Sequence, residues 1–179
     1  MLFATFNDLK RIGSEPQNMR IFESARVTKS NKDTFLSHSS KDNELLPGVV
    51  SILENHGASV YVDNADESLP KNPSVKTAEI LRGNLRSTRK YVLFVTTNSK
   101  DSIWIPWELG VADGEKRPSN VALFPSAEGQ YEQKWSEQEY LGLYQRIIWA
   151  NLKGEDKPLW VVYNHHDNTA TKLSQWLRN

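Results

Sequence analysis

One carboxylate in this chain stands among apolar and indole side chains. It is Glu108, within S-I-W-I-P-W-E-L-G-V-A-D-G at residues 102–114. Read as a helix, Ile105, Leu109 and Ala112 recur at i, i+4 and i+7 and make a face for packing on a sheet. Glu108 lies at the edge of that face. Trp104 is one turn earlier, where i and i+4 side chains meet. A carboxylate beside an indole, at the rim of a buried face, is costly unless it is hydrogen-bonded or used. Taken alone, the stretch fits a structural role better. Pro106 places a helix start close by, and an acid there is favoured by the macrodipole.

A second group with chemical potential is T-F-L-S-H-S-S-K-D at residues 34–42. Small hydroxyls at a strand-to-helix turn leave backbone N–H groups free for anionic oxygens, and a helix start adds favourable potential. Ser39 or Ser40 could equally be plain N-caps. His38 by itself reads as a satisfied loop histidine. Asp63, which closes V-Y-V, and Asp66 both suit turns. The run His165-His166-Asp167 invites a metal reading. Adjacent histidines on a loop face one ion poorly, however, and no helical H-x-x-x-H accompanies them, so a solvated turn is expected and no metal site. Chain order alone assembles no Ser–His–Asp set.

These residues need elements to hold them. Leu2, Phe6, Leu9 and Ile12 recur at helical spacing with Gly13 as a stop, which predicts a short amphipathic helix over 2–12. Its apolar stripe must bury against the main domain or a partner. Residues 14–19 read as a connector, and 21–28 as a strand or an ordered arm. From Lys32 a regular rhythm begins. Strands are predicted at 34–37, 59–62, 90–96 and 120–125, and helices at 44–55, 75–85 and about 102–113. The run K-Y-V-L-F-V-T is apolar enough for a central strand covered on both faces. Further on, 137–144 reads as helical, 146–149 and 159–163 as strands, and 169–178 as a closing helix.

Strands alternating with helices imply a parallel sheet with right-handed crossovers. The fold class is α/β, a flavodoxin-like doubly wound sheet, mainly parallel, over residues 32–179. Residues 1–31 are expected to form an N-terminal helical extension and arm. Ligands of such sheets sit outside the carboxyl ends of the strands, where the strand order reverses. The segments at those ends are 37–42, 63–73, 97–104 and 126–129, and Glu108 belongs to the helix after the third.

Composition narrows the function classes. The 179 residues allow one ordinary domain with a sizeable core, and 38% hydrophobic with 25% charged residues fits a globular chain. Lys plus Arg equals Asp plus Glu at 22 each. Zero net charge gives no broad case for nucleic acid or an anionic membrane. The absence of cysteine excludes disulfides, thiolate catalysis and cysteine-ligated zinc, and permits a reducing cytoplasm. No apolar run approaches the roughly 20 residues of a membrane span. Asn7, Asp8 and Lys10 interrupt any signal-peptide core. A receiver domain needs acids after its first and third strands, where this chain has Ser-His-Ser and Thr-Thr-Asn. Neither G-x-G-x-x-G nor a P-loop Gly-Lys-Ser/Thr occurs.

T-F-L-S-H-S-S-K-D resembles the first strand and following loop of Toll/interleukin-1 receptor (TIR) domains. V-Y-V-D at 60–63 is similar to that family's second strand, with 64–73 as its variable BB loop. Ser102, Trp104 and Glu108 resemble the S-x-W-x-x-x-E of its third helix. The agreement in order and spacing covers about residues 32–124.

This resemblance implies an enzyme that cleaves NAD⁺ at the nicotinamide–ribose bond, giving ADP-ribose or a cyclic ADP-ribose-type product, with NAD⁺ as substrate and no cofactor. Nicotinamide departs neutral, so no general acid is required. A single carboxylate can stabilise the oxocarbenium-like ribose left behind. By resemblance, Glu108 is that catalytic carboxylate and Trp104 walls the ribose and nicotinamide. Ser37, His38, Ser39 and Asp63 line the dinucleotide. The family further implies homo-oligomers, in which the BB loop of one copy borders the pocket of the next. It also implies a cytoplasmic setting in prokaryotic antiphage signalling, with an effector or sensor protein as partner. Two alternatives stay open. One is a non-catalytic TIR adaptor working by self-association, and the other a nucleoside deoxyribosyltransferase-like enzyme with a glutamate nucleophile. The aromatic-rich closing motif usual in the family is not evident, and 130–156 is longer than a minimal domain needs.

Overall fold

The computed structural model describes residues 2–27, 31–62, 74–129 and 138–179. Its main sheet follows the order β3-β2-β4-β5-β6-β7-β8. The strands are β2 (Thr34–Ser37), β3 (Val60–Val62), β4 (Lys90–Val95), β5 (Val121–Ala127), β6 (Gln145–Ala150), β7 (Leu159–Asn164) and β8 (Thr169–Lys172). Pairing is parallel from β3 through β6 and antiparallel for β6–β7 and β7–β8. All residues of β4 and β5 are buried, as befits strands covered on both faces.

Successive side chains alternate between two cores. On one face Leu36, Val92, Phe94, Ala122 and Phe124 pack beneath α1 (Phe6–Gly13), α2 (Pro16–Val27), α3 (Leu46–Asn55) and α6 (Leu173–Arg178). On the other, Phe35, Tyr91, Leu93 and Val95 pack beneath α4 (Val75–Ser87) and α5 (Trp104–Glu115). Phe35 stacks on Tyr91 across the β2–β4 pair with ring centroids 5.8 Å apart. From β2 the chain steps one way to β3 and returns to place β4 on β2's other side. The strand order therefore reverses between β2 and β4, and their carboxyl ends frame a crevice.

The N-terminal segment joins this body. A two-residue strand, β1 (Ala4–Thr5), pairs parallel with the end of β5, and Ser126 Oγ donates to the Ala4 carbonyl at 2.7 Å. Leu2 bridges Trp149 of β6. Thr5 and Asp8 then form a reciprocal capping box that starts α1. Leu9 is wholly buried, and burial of such a side chain contributes roughly 1.5–3 kcal/mol. The stripe anticipated along 2–12 thus faces α3. Contact is close enough that Gly48 of α3 lies against the Leu9 carbonyl, and Gly13 against Pro47 and Gly48.

Several expected elements differ. Residues 2–5 are extended, because strand pairing satisfies their backbone before the Thr5 cap begins the helix. Residues 16–27 form α2, not a connector and arm. Pro16 opens that helix, and Asn18 Nδ2 donates to the Ile12 carbonyl at 2.8 Å, closing α1. The helix predicted over 44–55 begins at Leu46, behind a 3₁₀ turn, Ser40–Leu45. The closing helix is confined to Leu173–Arg178. Residues 169–172 pair with β7 across a turn in which Asn168 takes φ 52°. Of 137–144, Glu139–Leu143 form a 3₁₀ turn.

At the amino ends of the strands, Lys90 is buried. Its Nζ donates to Asn120 Oδ1 at 2.6 Å and sits 4.5 Å from the Trp176 ring centre. Burial, and then Arg89, bring its pKa down to about 8.

Candidate active site

The last residue of β2 meets the second turn of α5 in the crevice. Ser37 Oγ donates to Glu108 Oε2 at 2.5 Å, and both residues are buried. Helix α5 is aimed by Ile105, Leu109 and Ala112, each at most 1% exposed against the sheet. Its first turn is held from outside by Ser102, whose Oγ accepts from the Trp104 and Ile105 N–H groups at 3.3 Å each. Glu108 is the fifth residue of the helix, beyond the first-turn N–H groups that an ordinary helix-start acid serves.

Two loops flank the pair. After β2, Ser39 caps the 3₁₀ turn, and His38 Nε2 lies 3.1 Å from Asn43 Oδ1. After β4, the 3₁₀ turn Thr97–Asp101 opens with a capping box between Thr96 and Ser99. Buried Asp42 joins the loops. One of its oxygens accepts from Thr96 Oγ1 at 2.7 Å and the other from Asn98 Nδ2 at 2.6 Å. Burial raises the Asp42 carboxyl above its ordinary value, against the pull of these two bonds. At the surface Lys41 Nζ donates to Asp101 Oδ2 at 2.7 Å, and the ammonium holds the Asp101 carboxyl below its ordinary value.

Between the loops is a cleft of about 170 Å³. Ser39, Ser40 and Lys41 form one wall, and Asp101, Ser102, Ile103 and Trp104 the other. Glu108 follows Trp104 by one helical turn and is buried, outside the residues that line this cleft. Trp104 meets Trp107 edge-on at 5.6 Å, and the Arg82 guanidinium covers the Trp107 ring at 5.4 Å. A serine-lined cleft bordered by an indole, with a buried hydrogen-bonded carboxylate one helical turn from that indole, suits a polar ligand with one planar part. The carboxylate can meet positive charge developing on that ligand.

Residues 34–159 match the family model described as TIR domain. A protein of Bacillus cereus (strain MSX-D12), described as a "probable 3' cyclic ADP-D-ribose synthase ThsB'", is 36% identical over 149 residues, 82% of this chain and 75% of that protein. This chain belongs to the TIR domain family. A candidate cyclic ADP-D-ribose synthase of Cytobacillus dafuensis, TIR2, is 29% identical over 105 residues. That match takes in 56% of this chain and 25% of the longer relative.

Of the residues nominated from the sequence of this TIR domain, Ser37 and Glu108 are bonded to each other, and Ser39 and Trp104 both line the cleft. His38 is buried in the loop beside them. Asp63 and the BB loop at 64–73 lie outside the described residues. Trp107 buttresses Trp104 edge-on. His165 and His166 lie together in the β7–β8 turn, and His166 Nε2 is 3.1 Å from the Gly142 carbonyl. Among the described residues no three His, Asp or Glu side chains gather as metal ligands would. No helix among them is long and apolar enough to cross a membrane.

Sequence reasoning missed the stitching of the two loops by Asp42, Thr96 and Asn98. The polar T-T-N following an apolar strand was the available sign, but its partner is 54 positions away. A larger cavity of about 370 Å³, between the N-terminal segment and Trp149 and Trp160, contains none of the nominated residues.

Proposed function

We propose that this TIR domain cleaves NAD⁺ at the nicotinamide–ribose bond and closes the product into a cyclic ADP-ribose signal. The observation that carries the reading is the buried Ser37–Glu108 contact at the carboxyl ends of β2 and β4, beside a cleft walled by Trp104. The similarity to cyclic ADP-D-ribose synthases points to the same substrate. As the C–N bond breaks, its electron pair leaves with nicotinamide, and positive charge gathers on the ribose. The Glu108 carboxylate stabilises that charge, and the Ser37 hydroxyl fixes its orientation. Capture by a group of the same ADP-ribose closes a ring, whereas capture by water yields linear ADP-ribose. Trp104 walls the ribose and nicotinamide, and Ser39 and His38 border the rest of the dinucleotide.

The setting we infer is a cytoplasmic, self-associating protein of antiphage signalling, whose product is read by an effector. Exposed Val75, Ile80 and Ile103 support self-association. The test is Glu108→Gln, assayed across a protein concentration series with mass spectrometry of the products. Wild type is expected to consume NAD⁺ and release nicotinamide with a cyclic product. The variant should lose roughly 10²–10³-fold or more in turnover, as when one electrostatic stabiliser is removed. Undiminished consumption would rule Glu108 out, and a linear product alone would rule cyclisation out.

A further inference from the structure

The cleft beside Glu108 has two charged residues in its lining, and in the free protein they are spent on each other. Lys41, on the β2 side, donates to Asp101, on the β4 side, across 60 positions of sequence. Both side chains are more than half exposed, at 58% and 53%. Exposed pairs of this kind contribute little to stability, because solvent screens them and two flexible side chains must be held in place. The pair is therefore easily exchanged for another partner.

The substrate supplies one. A dinucleotide carries two negative charges on its diphosphate, with several acceptor oxygens, where Asp101 carries one charge. Lysine binds phosphate as a compact point charge with three donors. Among the described residues lining this cleft, Lys41 is the only cation. It stands on the same wall as Ser39, which follows Ser37, the residue bonded to Glu108, by two positions. Trp104 and Glu108 deal with the nicotinamide end, so the diphosphate needs a separate anchor further along the cleft.

We propose that Lys41 anchors the substrate's diphosphate and that Asp101 is a built-in competitor for the same ammonium, displaced when the dinucleotide enters. The proposal rests on the NAD⁺ reading of the site. It makes Asp101 a filter: a ligand without phosphate cannot displace it, and one with a diphosphate can.

The two partners should have opposite effects. Lys41→Met is expected to raise the KM for NAD⁺ about tenfold or more, with kcat changed less than about threefold. Lys41→Arg should restore most of the loss. Asp101→Asn should lower the KM about threefold, because the competitor is gone while the ammonium stays. In wild type, ADP should inhibit much more strongly than adenosine, and Lys41→Met should erase that preference. Lys172→Ala, which breaks the Lys172–Glu155 pair on β8, away from the cleft and its two loops, controls for loss of a surface ion pair. Equilibrium titration of NAD⁺ onto Glu108→Gln, alone and combined with each change, reads the same order of affinities without turnover.

If the pair only braces the loops, Lys41→Met and Asp101→Asn will shift KM in the same direction, and that result overturns the proposal. ADP inhibiting no better than adenosine overturns it as well. A wild-type protein that leaves NAD⁺ intact at every concentration would instead defeat the functional reading, and the titration would still report whether Lys41 and Asp101 act in opposition.

Discussion

Both oxygens of the Asp42 carboxylate are committed, one to Thr96 and one to Asn98. Removing that acceptor strands two donors in a buried place, at a cost of about 1–3 kcal/mol. Asp42→Ala should lower the urea midpoint accordingly. It should also slacken the turn that leads through Ser102 into α5. Asp42→Asn should be milder, since its carbonyl can accept from Asn98 and its amide can donate to the Thr96 hydroxyl. The two carboxamide and carboxylate forms differ in their response to pH. The Asp42 pKa is raised by burial, so between 3.8 and the native value the folded protein holds more protons than the unfolded chain. The stability from this group is fully present below 3.8 and is lost as pH rises through the native pKa. The advantage of wild type over Asp42→Asn should therefore be larger in acid than at neutral pH, as urea titrations at the two conditions would show. Glu108 could be nominated from sequence because an acid among indoles is conspicuous locally. Its partnership with Ser37, 71 positions distant, is a product of the fold and leaves no local mark.

At the scale of elements, glycine has two different meanings here. A Cβ on Gly48 would fall 2.3 Å from the Leu9 carbonyl oxygen, so α1 and α3 would have to separate. Gly48→Ala is expected to cost about 1–3 kcal/mol, in the range of overpacked cores. Gly110 sits on the exposed side of α5 with nothing within 4 Å of where a Cβ would be. Gly110→Ala should stabilise by about 0.5–1 kcal/mol through backbone entropy and helix propensity. Paired urea unfolding curves would check both signs. The long, strongly patterned elements were legible in the sequence: β2, β4, α3, α4 and α5 fall within a few residues of expectation. The misses share a cause. β1 has two residues, too few for any period to show. The apolar residues of α2 are scattered around the helix, so it lacked a stripe. In T-A-T-K the competition between hairpin and helix is decided by pairing with β7, which local preference does not contain.

At the scale of the molecule, the alternation of strand and helix was enough to infer a doubly wound sheet and to place the site at its carboxyl ends. The antiparallel finish through β6, β7 and β8 was not readable, because strand direction follows from where the chain returns and not from residue type. The N-terminal residues behave as part of the same body: Leu9 and Ala4 share a core with Leu36 and Phe124. Removal of residues 1–13 is expected to uncover α3 and the end of β5, giving a protein with a lower, broader thermal transition by circular dichroism or one recovered insoluble. A transition like that of the full chain would mark the segment as dispensable. The pairing of β1 with β5 also sets an order of events during synthesis. Ala4 leaves the ribosome early, yet the hydroxyl it binds, on Ser126, is made 122 residues later. Until then the first strand has no neighbour, while β2, β3 and β4 already have one another. The docking of the N-terminus is thus a late, long-range step, closing a sheet whose site-bearing strands have been made before it.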